Sequence, residues 1–504
     1  MFHRVPFITV AAAIALTAAC SPTADQADIT SDGSTSVTLS GGTAGSTSST
    51  ASTSDSTVEA STVSTDGEAT LFDDSVVHDI DVSYDQADYD AMIDAYVETG
   101  EKEWIEAKVT IDGVVYEQIG LRLKGNSSLS GLGGGRFPGG GQRPAPTEGE
   151  GGGGFGPAGS ASADEPESLP WLIRLDEFVE GQDHQGYEDI VIRSNSSATS
   201  LNEAVALDLL AEAGLASQQA VSTAFSVNGS ETVLRLAIEH PDDDAWQEAA
   251  FDSDGALYKA ESTGDWSYRG DDPDDYDEIW DQEGGSDVAD LTPLIEFLQF
   301  LNESDDATFA AELPERLDID SFATYLAMMD LVANFDDIDG PGNNAYLWYD
   351  TGSGQFTVVP WDMNLAFSVG GFGGGGGPGG GRPGGFPSDG SLPEDLELPG
   401  GTLPEDFQPP GGGSLPEGAD PGQIGGGMFG RSNILVERFH ANAEFEALYQ
   451  QKLTEVRSEL YDSGTADEIL ARWVATLTEH ATDLIDAATI SEEADAIDNQ
   501  FVAE

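Results

Sequence analysis

Between Asn334 and Phe367 the chain reads NFDDIDGPGNNAYLWYDTGSGQFTVVPWDMNLAF, and its oxygen-bearing side chains are spaced to hold a divalent cation. Two short aromatic and β-branched runs, Ala345–Tyr349 and Phe356–Val359, flank an Asp/Gly/Ser turn over residues 350–354 and predict a hairpin. Asp336 or Asp337 and Asn344 enter that hairpin, and Asp362 leaves it. A hairpin returns on itself, so these ligands can converge. Two carboxylates and a carboxamide are what Mg²⁺ takes beside phosphate oxygens. An acidic Ca²⁺ loop or a solvated turn would use the same residue types.

The order of the parts follows phosphoryl-transfer logic: one Asp orients an acceptor hydroxyl, an Asn holds metal, and a second Asp bridges metal to phosphates. The blocks Asn334-x-Asp336, Asn344-x-Tyr346-Leu347 and Pro360-Trp361-Asp362-Met363-Asn364-Leu365-Ala366-Phe367 resemble the CotH-type atypical protein kinases, a family named from bacterial spore coats. Gly120-Leu121-Arg122-Leu123-Lys124-Gly125-Asn126-Ser127-Ser128 and Gly255-Ala256-Leu257-Tyr258-Lys259 are similar to further blocks of that family. The resemblance implies an α+β, two-lobed atypical protein-kinase-like fold with Gly-rich insertions. It implies ATP with Mg²⁺ (or Mn²⁺) and phosphoryl transfer to Ser or Thr hydroxyls of a protein. Asp336 would orient the acceptor, with Asp337 as the alternative. Asn344 and Asp362 would hold metal, and Asn364 is a further candidate. The family commonly carries a lysine on the strand that here reads LPWLIRLDEF, where Leu172 and Arg174 stand instead. Arg174, Lys124 or Lys259 would have to serve in its place, with Arg122 adding charge beside Lys124. Glu203, early in a helix predicted over 201–213, would orient the phosphate-binding cation; a solvated first-turn Glu favoured by the helix dipole is the plainer alternative.

Residues 1–20 carry His3 and Arg4, an apolar run over 8–15, and small residues before Cys20, the single cysteine. This predicts a leader of the bacterial lipoprotein kind, with Cys20 as lipidation site and an exported, membrane-anchored protein. Residues 21–70 are rich in Ser, Thr, Gly and Asp and predict an unfolded tether. A CotH kinase-like domain is expected over 71–502. It is interrupted by Gly/Pro-rich insertions at about 130–164 and 369–427, with helices over 433–501.

The formal net charge of −74, from 19 basic and 93 acidic residues, argues against nucleic-acid and anionic-surface partners. It also makes every cation informative. Strands are expected at 76–82, 105–111, 114–117, 120–124, 169–178, 187–193, 218–227, 232–239 and 255–259. Helices are expected at 84–99, 242–250, 291–301 and 318–332, and in the C-terminal part at 433–449, 451–461, 466–485 and 492–501. The Asp-dense stretch 265–287 reads as a solvated surface. A different class of function also fits: a surface binding or adhesion protein, or an envelope structural protein, on the same scaffold without turnover.

Overall fold

Strict alternation of inward apolar residues rolls seven strands into a closed barrel. The computed structural model describes residues 70–132, 136–137, 141–142, 161–262, 264–286, 288–340, 343–368 and 433–502. Cys20, the leader and most of the tether and of both insertions lie outside these. The strands are β1 (Val77–Tyr84), β2 (Ile105–Ile111), β3 (Val114–Leu123), β4 (Arg136–Phe137), β5 (Gly141–Gln142), β6 (Trp171–Arg174), β7 (Asp189–Ile192), β8 (Ala220–Val227) and β9 (Val233–Ile238). The barrel order is β1-β2-β3-β6-β7-β9-β8, and β8 closes it by pairing in parallel with β1; β4 and β5 pair only with each other.

Leu121, Leu123, Trp171, Ile173, Ile190 and Ile192 point into the barrel, while Leu172 and Val191 face the second core outside it. By the same alternation Arg122, Lys124, Arg174 and Arg193 belong to the outer face. Helix α1 (Gln86–Thr99), capped by Asp85 and ended by Gly100 at φ 84, packs Tyr89, Met92, Ile93 and Tyr96 onto the barrel core.

A second sheet runs β11-β10-β12-β13, from β10 (Gly255–Ala260), β11 (Trp280–Gly284), β12 (Ala345–Asp350) and β13 (Gln355–Pro360). Around it lie α2 (Leu201–Glu212), α3 (Asp244–Ala250), α4 (Thr292–Glu303), α5 (Asp306–Glu312), α6 (Ile319–Leu331), α7 (Ile434–Ala441), α8 (Ala443–Val456), α9 (Thr465–His480) and α10 (Ala487–Phe501). These helices and this sheet share a core that also covers the outer face of β6, β7 and β9. Helix α2 is apolar almost all round because it is sandwiched there.

Several expectations change. The two strands at 114–117 and 120–124 are one strand, β3, with an irregular register and Gln118 at φ 57. The predicted strand 169–178 shrinks to β6, ending at Arg174. The Asp-dense stretch 265–287 contains strand β11, paired to β10. Helix α5 was not anticipated. The C-terminal helices divide at Asn442, whose side chain accepts from Glu444 N and Phe445 N and so starts α8 there, and α8 continues across the boundary expected near residue 450. The mixed α+β class stands.

Candidate active site

The hairpin β12–β13 forms with Ala345 opposite Pro360, so Asn344 and Asp362 leave from the same end. Three further contacts fold the ends of the stretch together. Asn344 Nδ2 donates to Asp336 O at 3.0 Å, Asn334 Nδ2 lies 3.6 Å from Met363 Sδ, and Phe367 N donates to Val332 O at 2.6 Å. Asn344 thereby spends its amide nitrogen on the loop, which leaves Oδ1, the atom able to ligate a cation. Asp337 is buried; its carbonyl accepts from Gly340 N and Asn344 N, and its Oδ1 from Asp339 N at 3.3 Å. Asp336 is half-buried. Asn343, beside Asn344, is tied to Glu261 O and to Trp266 Nε1.

Ala333, Asn343, Asp362 and Phe367 all take left-handed φ values, 51, 54, 65 and 58. Such conformations in non-glycine residues cost of order 1–3 kcal/mol each and persist where the surroundings impose them. Here they re-aim the chain at each end of the hairpin.

Arg193 follows β7 and is buried. Its Nε donates to Glu203 Oε1 at 2.8 Å and its Nη2 donates to Asp362 Oδ1. Burial pushes the Glu203 carboxyl up, and Arg193 works against it. Burial opposes the Arg193 charge, but Asp362 and Glu203 more than compensate and hold the guanidinium firmly protonated. Glu203 therefore does pair with a cation, and that cation is Arg193; Arg174, Lys124 and Lys259 are placed elsewhere.

Arg174 lies directly across from Asp189 in the β6–β7 ladder and grips it with both ends of its fork, at 2.7 Å each. Asp189 Oδ2 also meets His240 Nδ1 at 2.8 Å, and His240 Nε2 meets Lys124 Nζ at 2.6 Å. Burial works against the Asp189 charge, yet Arg174 and His240 hold its carboxyl well below the usual range. Burial, with Lys124 beside it, pushes His240 down to about 3, so the imidazole is neutral.

Lys124 follows β3 and looks onto the Trp361 ring, 5.7 Å from its centroid; Arg193 faces the same ring at 5.6 Å. Lys102 Nζ donates to Asn126 Oδ1 in the turn after β3. Burial and the charges of Lys124, Lys259 and Arg122 push the Lys102 ammonium down to about 7. Burial likewise pushes Lys124 down to about 8, with Asp242 opposing and Lys259 and Arg122 assisting. Arg122 stacks on Trp104 at 4.6 Å, and its buried Nε has no hydrogen-bond partner among the described residues. Lys259, on β10 between Asp281 and Tyr346 in the ladder, sits 5.8 Å from the Tyr346 ring. Asn364 offers its backbone: its carbonyl accepts from Ser196 Oγ and from Asn202 Nδ2.

Arg193, His240, Asp189 and Lys102 carried no signal in the sequence beyond being scarce or following a strand. Arg193 and Asp362 are 169 residues apart in the chain. Among the described residues no cluster of three or more His, Cys, Asp or Glu side chains could hold a metal ion; a set of one carboxylate and one carboxamide beside phosphate falls outside that description.

No curated protein matches the chain. The family model described as CotH kinase protein matches residues 158–500, more than half of the 504. The sheet-and-helix half, the outer barrel strands β6, β7, β9 and β8, and the hairpin with its two flanking acids all fall within that match: the chain belongs to the CotH kinase family.

Proposed function

We propose that this protein transfers the terminal phosphoryl group of ATP to Ser or Thr hydroxyls of a protein, on a two-lobed kinase-like scaffold. The observation that carries this reading is the gathering of Arg122 and Lys259 within reach of the charges of both Lys102 and Lys124, in a chain of net charge −74. Burial first, and the neighbouring cations after it, push two of these ammonium groups down, and an anion would relieve both. Arg122 Nε, a buried donor without a partner among the described residues, fits a phosphate oxygen. Asn344 Oδ1 and the Asp362 carboxylate fit Mg²⁺, with Asn364 as a further ligand candidate.

Bound Mg²⁺·ATP would supply the phosphoryl group and neutralise charge on its oxygens. Asp336 would accept the proton of the acceptor hydroxyl, and Asp337, locked by its own hydrogen bonds, would hold the loop that carries it. Glu203 orients Arg193 toward the phosphates, as the Lys–Glu pair does in protein kinases. Export and lipid attachment through Cys20 belong to the same proposal.

A non-catalytic binding protein on this scaffold is the second reading. The Arg193–Asp362 ion pair favours it, because it occupies a carboxylate oxygen that metal needs. Purified protein is incubated with labelled ATP, Mg²⁺ or Mn²⁺ and casein, beside Asp362→Ala. Transfer by the parent and its loss in the variant are expected. A nucleotide-dependent thermal shift without transfer would leave only the binding reading, and neither shift nor transfer would remove the nucleotide altogether.

A further inference from the structure

We infer that His240, backed by Asp189 and Arg174, is a positioning residue that fixes the direction of Lys124 within the cluster of Lys102, Arg122, Lys124 and Lys259. This rests on that cluster being a phosphate site. Asp189 is buried, and both its oxygens are taken by the Arg174 fork. Its backbone N–H is fixed by Asp243 Oδ2 at 2.7 Å. Asp189 is therefore a rigid acceptor, and it fixes the His240 proton on Nδ1. The remaining nitrogen, Nε2, then presents a lone pair, and Lys124 donates to it. Asp242 Oδ2 lies 3.1 Å from the same Nε2; burial pushes its carboxyl up to about 7, and Lys124 opposes the rise.

His240 and Asp242 play different parts beside Lys124. Asp242 opposes the fall of the ammonium as a charge, and an incoming phosphate would compete with it. The neutral imidazole takes one N–H and cancels no charge of its own accord. It also fixes the direction of a side chain that otherwise has four freely rotating bonds. The Trp361 face, beneath the ammonium, adds attraction without competing for phosphate. Arg174 is then a remote support of Lys124, acting through Asp189 and His240.

The test uses the full chain and two readouts. Binding of inorganic triphosphate and of Mg²⁺·ATP is measured calorimetrically for the parent, His240→Leu, His240→Gln, Lys124→Ala and the His240→Leu/Lys124→Ala pair. His240→Leu is expected to weaken triphosphate binding about tenfold, as for loss of a hydrogen bond to a charged group. His240→Gln, which can present an oxygen where Nε2 stood, is expected to restore most of it. In the Lys124→Ala background His240→Leu should cost nothing more. An equal loss in both backgrounds would overturn the inference, since His240 would then act on the fold and not through Lys124. Separately, the lysines Lys102, Lys108, Lys124, Lys259 and Lys452 are reductively methylated with ¹³C and followed by NMR. The Lys124 signal should carry a ring-current shift from Trp361 that His240→Leu removes and His240→Gln retains. If that shift behaves so while no variant, nor the parent, binds triphosphate, the positioning stands and the phosphate reading falls. If the shift is unaffected by His240→Leu, the positioning falls whatever the cationic cluster binds.

Discussion

Replacing Arg193 by Met isolates the buried ion pair with Glu203. Methionine keeps an unbranched apolar stem, so packing against Trp361 changes little, and what is lost is charge. Two carboxylates lose their partner, but unequally. Asp362 has a side chain 24% exposed and can turn to water, whereas the Glu203 side chain is 2% exposed and Arg193 is the hydrogen-bond partner resolved for it. The cheapest response of Glu203 is to fold as the neutral acid. An unfolded Glu titrates near 4.5. Taking up a proton at pH 7 therefore costs about 3.5 kcal/mol, at about 1.4 kcal/mol for each of roughly 2.5 pH units. That lies within the range of about 3–5 kcal/mol for breaking a buried pair.

The sign follows from proton binding. With its folded carboxyl raised above the unfolded one, the native variant binds more protons than the unfolded chain, so its stability falls as pH rises above about 4.5. Because the Glu203 carboxyl is already raised in the parent, the deficit of Arg193→Met should be at most about 3.5 kcal/mol at pH 7 and shrink toward pH 4. Arg193→Met/Glu203→Gln should recover most of the pH 7 loss while leaving ATP unbound. Urea denaturation of all three proteins from pH 4 to 8, with m-values compared, measures this. A deficit below about 1 kcal/mol at pH 7, or one that does not change with pH, would refute the account.

Triphosphate binding should take up protons, because Lys102 and Lys124 titrate at about 7 and about 8 in the free protein and an anion raises both; affinity should fall as pH rises through that interval, read by calorimetry in two buffers of different ionisation enthalpy. Gly340→Ala places a Cβ 2.6 Å from Asp336 Cα, Asp337 N and Phe335 O, all backbone, so the loop bearing Asp336 must shift. A loss of about 1–3 kcal/mol in denaturant stability, with transfer reduced more than nucleotide binding, is expected; unchanged transfer would show that this loop does not carry the acceptor-orienting group.

The hairpin was legible because its signals are local: two β-branched and aromatic runs with an Asp/Gly/Ser turn between them. So was α1, whose four buried residues recur at helical spacing. Barrel closure was not legible, because β1 finds β8 across a long stretch of chain and in parallel, and nothing within either strand encodes that partner. β11 was hidden by composition: Asp281 and Glu283 read as solvated surface, although Trp280 at its start is buried. Among site residues, the family resemblance pointed to Glu203, while its first-turn position alone suggested only a solvated acid, and its partner Arg193 was not legible. Arg193 is an ordinary strand-ending arginine until the fold brings residue 362 beside it. His240 likewise gains meaning only when β3, β7 and the segment after β9 come together.

The four-stranded sheet ends at β11, and none of the described strands pairs with its outer flank. Unpaired backbone there is a template for another chain, and Asp281 and Glu283 are the charges that repel one. Burial, with Glu261 close by, pushes Asp281 up to about 7. Mild acid therefore takes the charge of Asp281 from this margin. The barrel, whose ladder has no beginning and no end, is indifferent to the same change. Self-association along that margin is therefore expected to rise slightly below neutrality; sedimentation in slightly acid against slightly alkaline buffer checks this, and an unchanged monomer fraction would refute it.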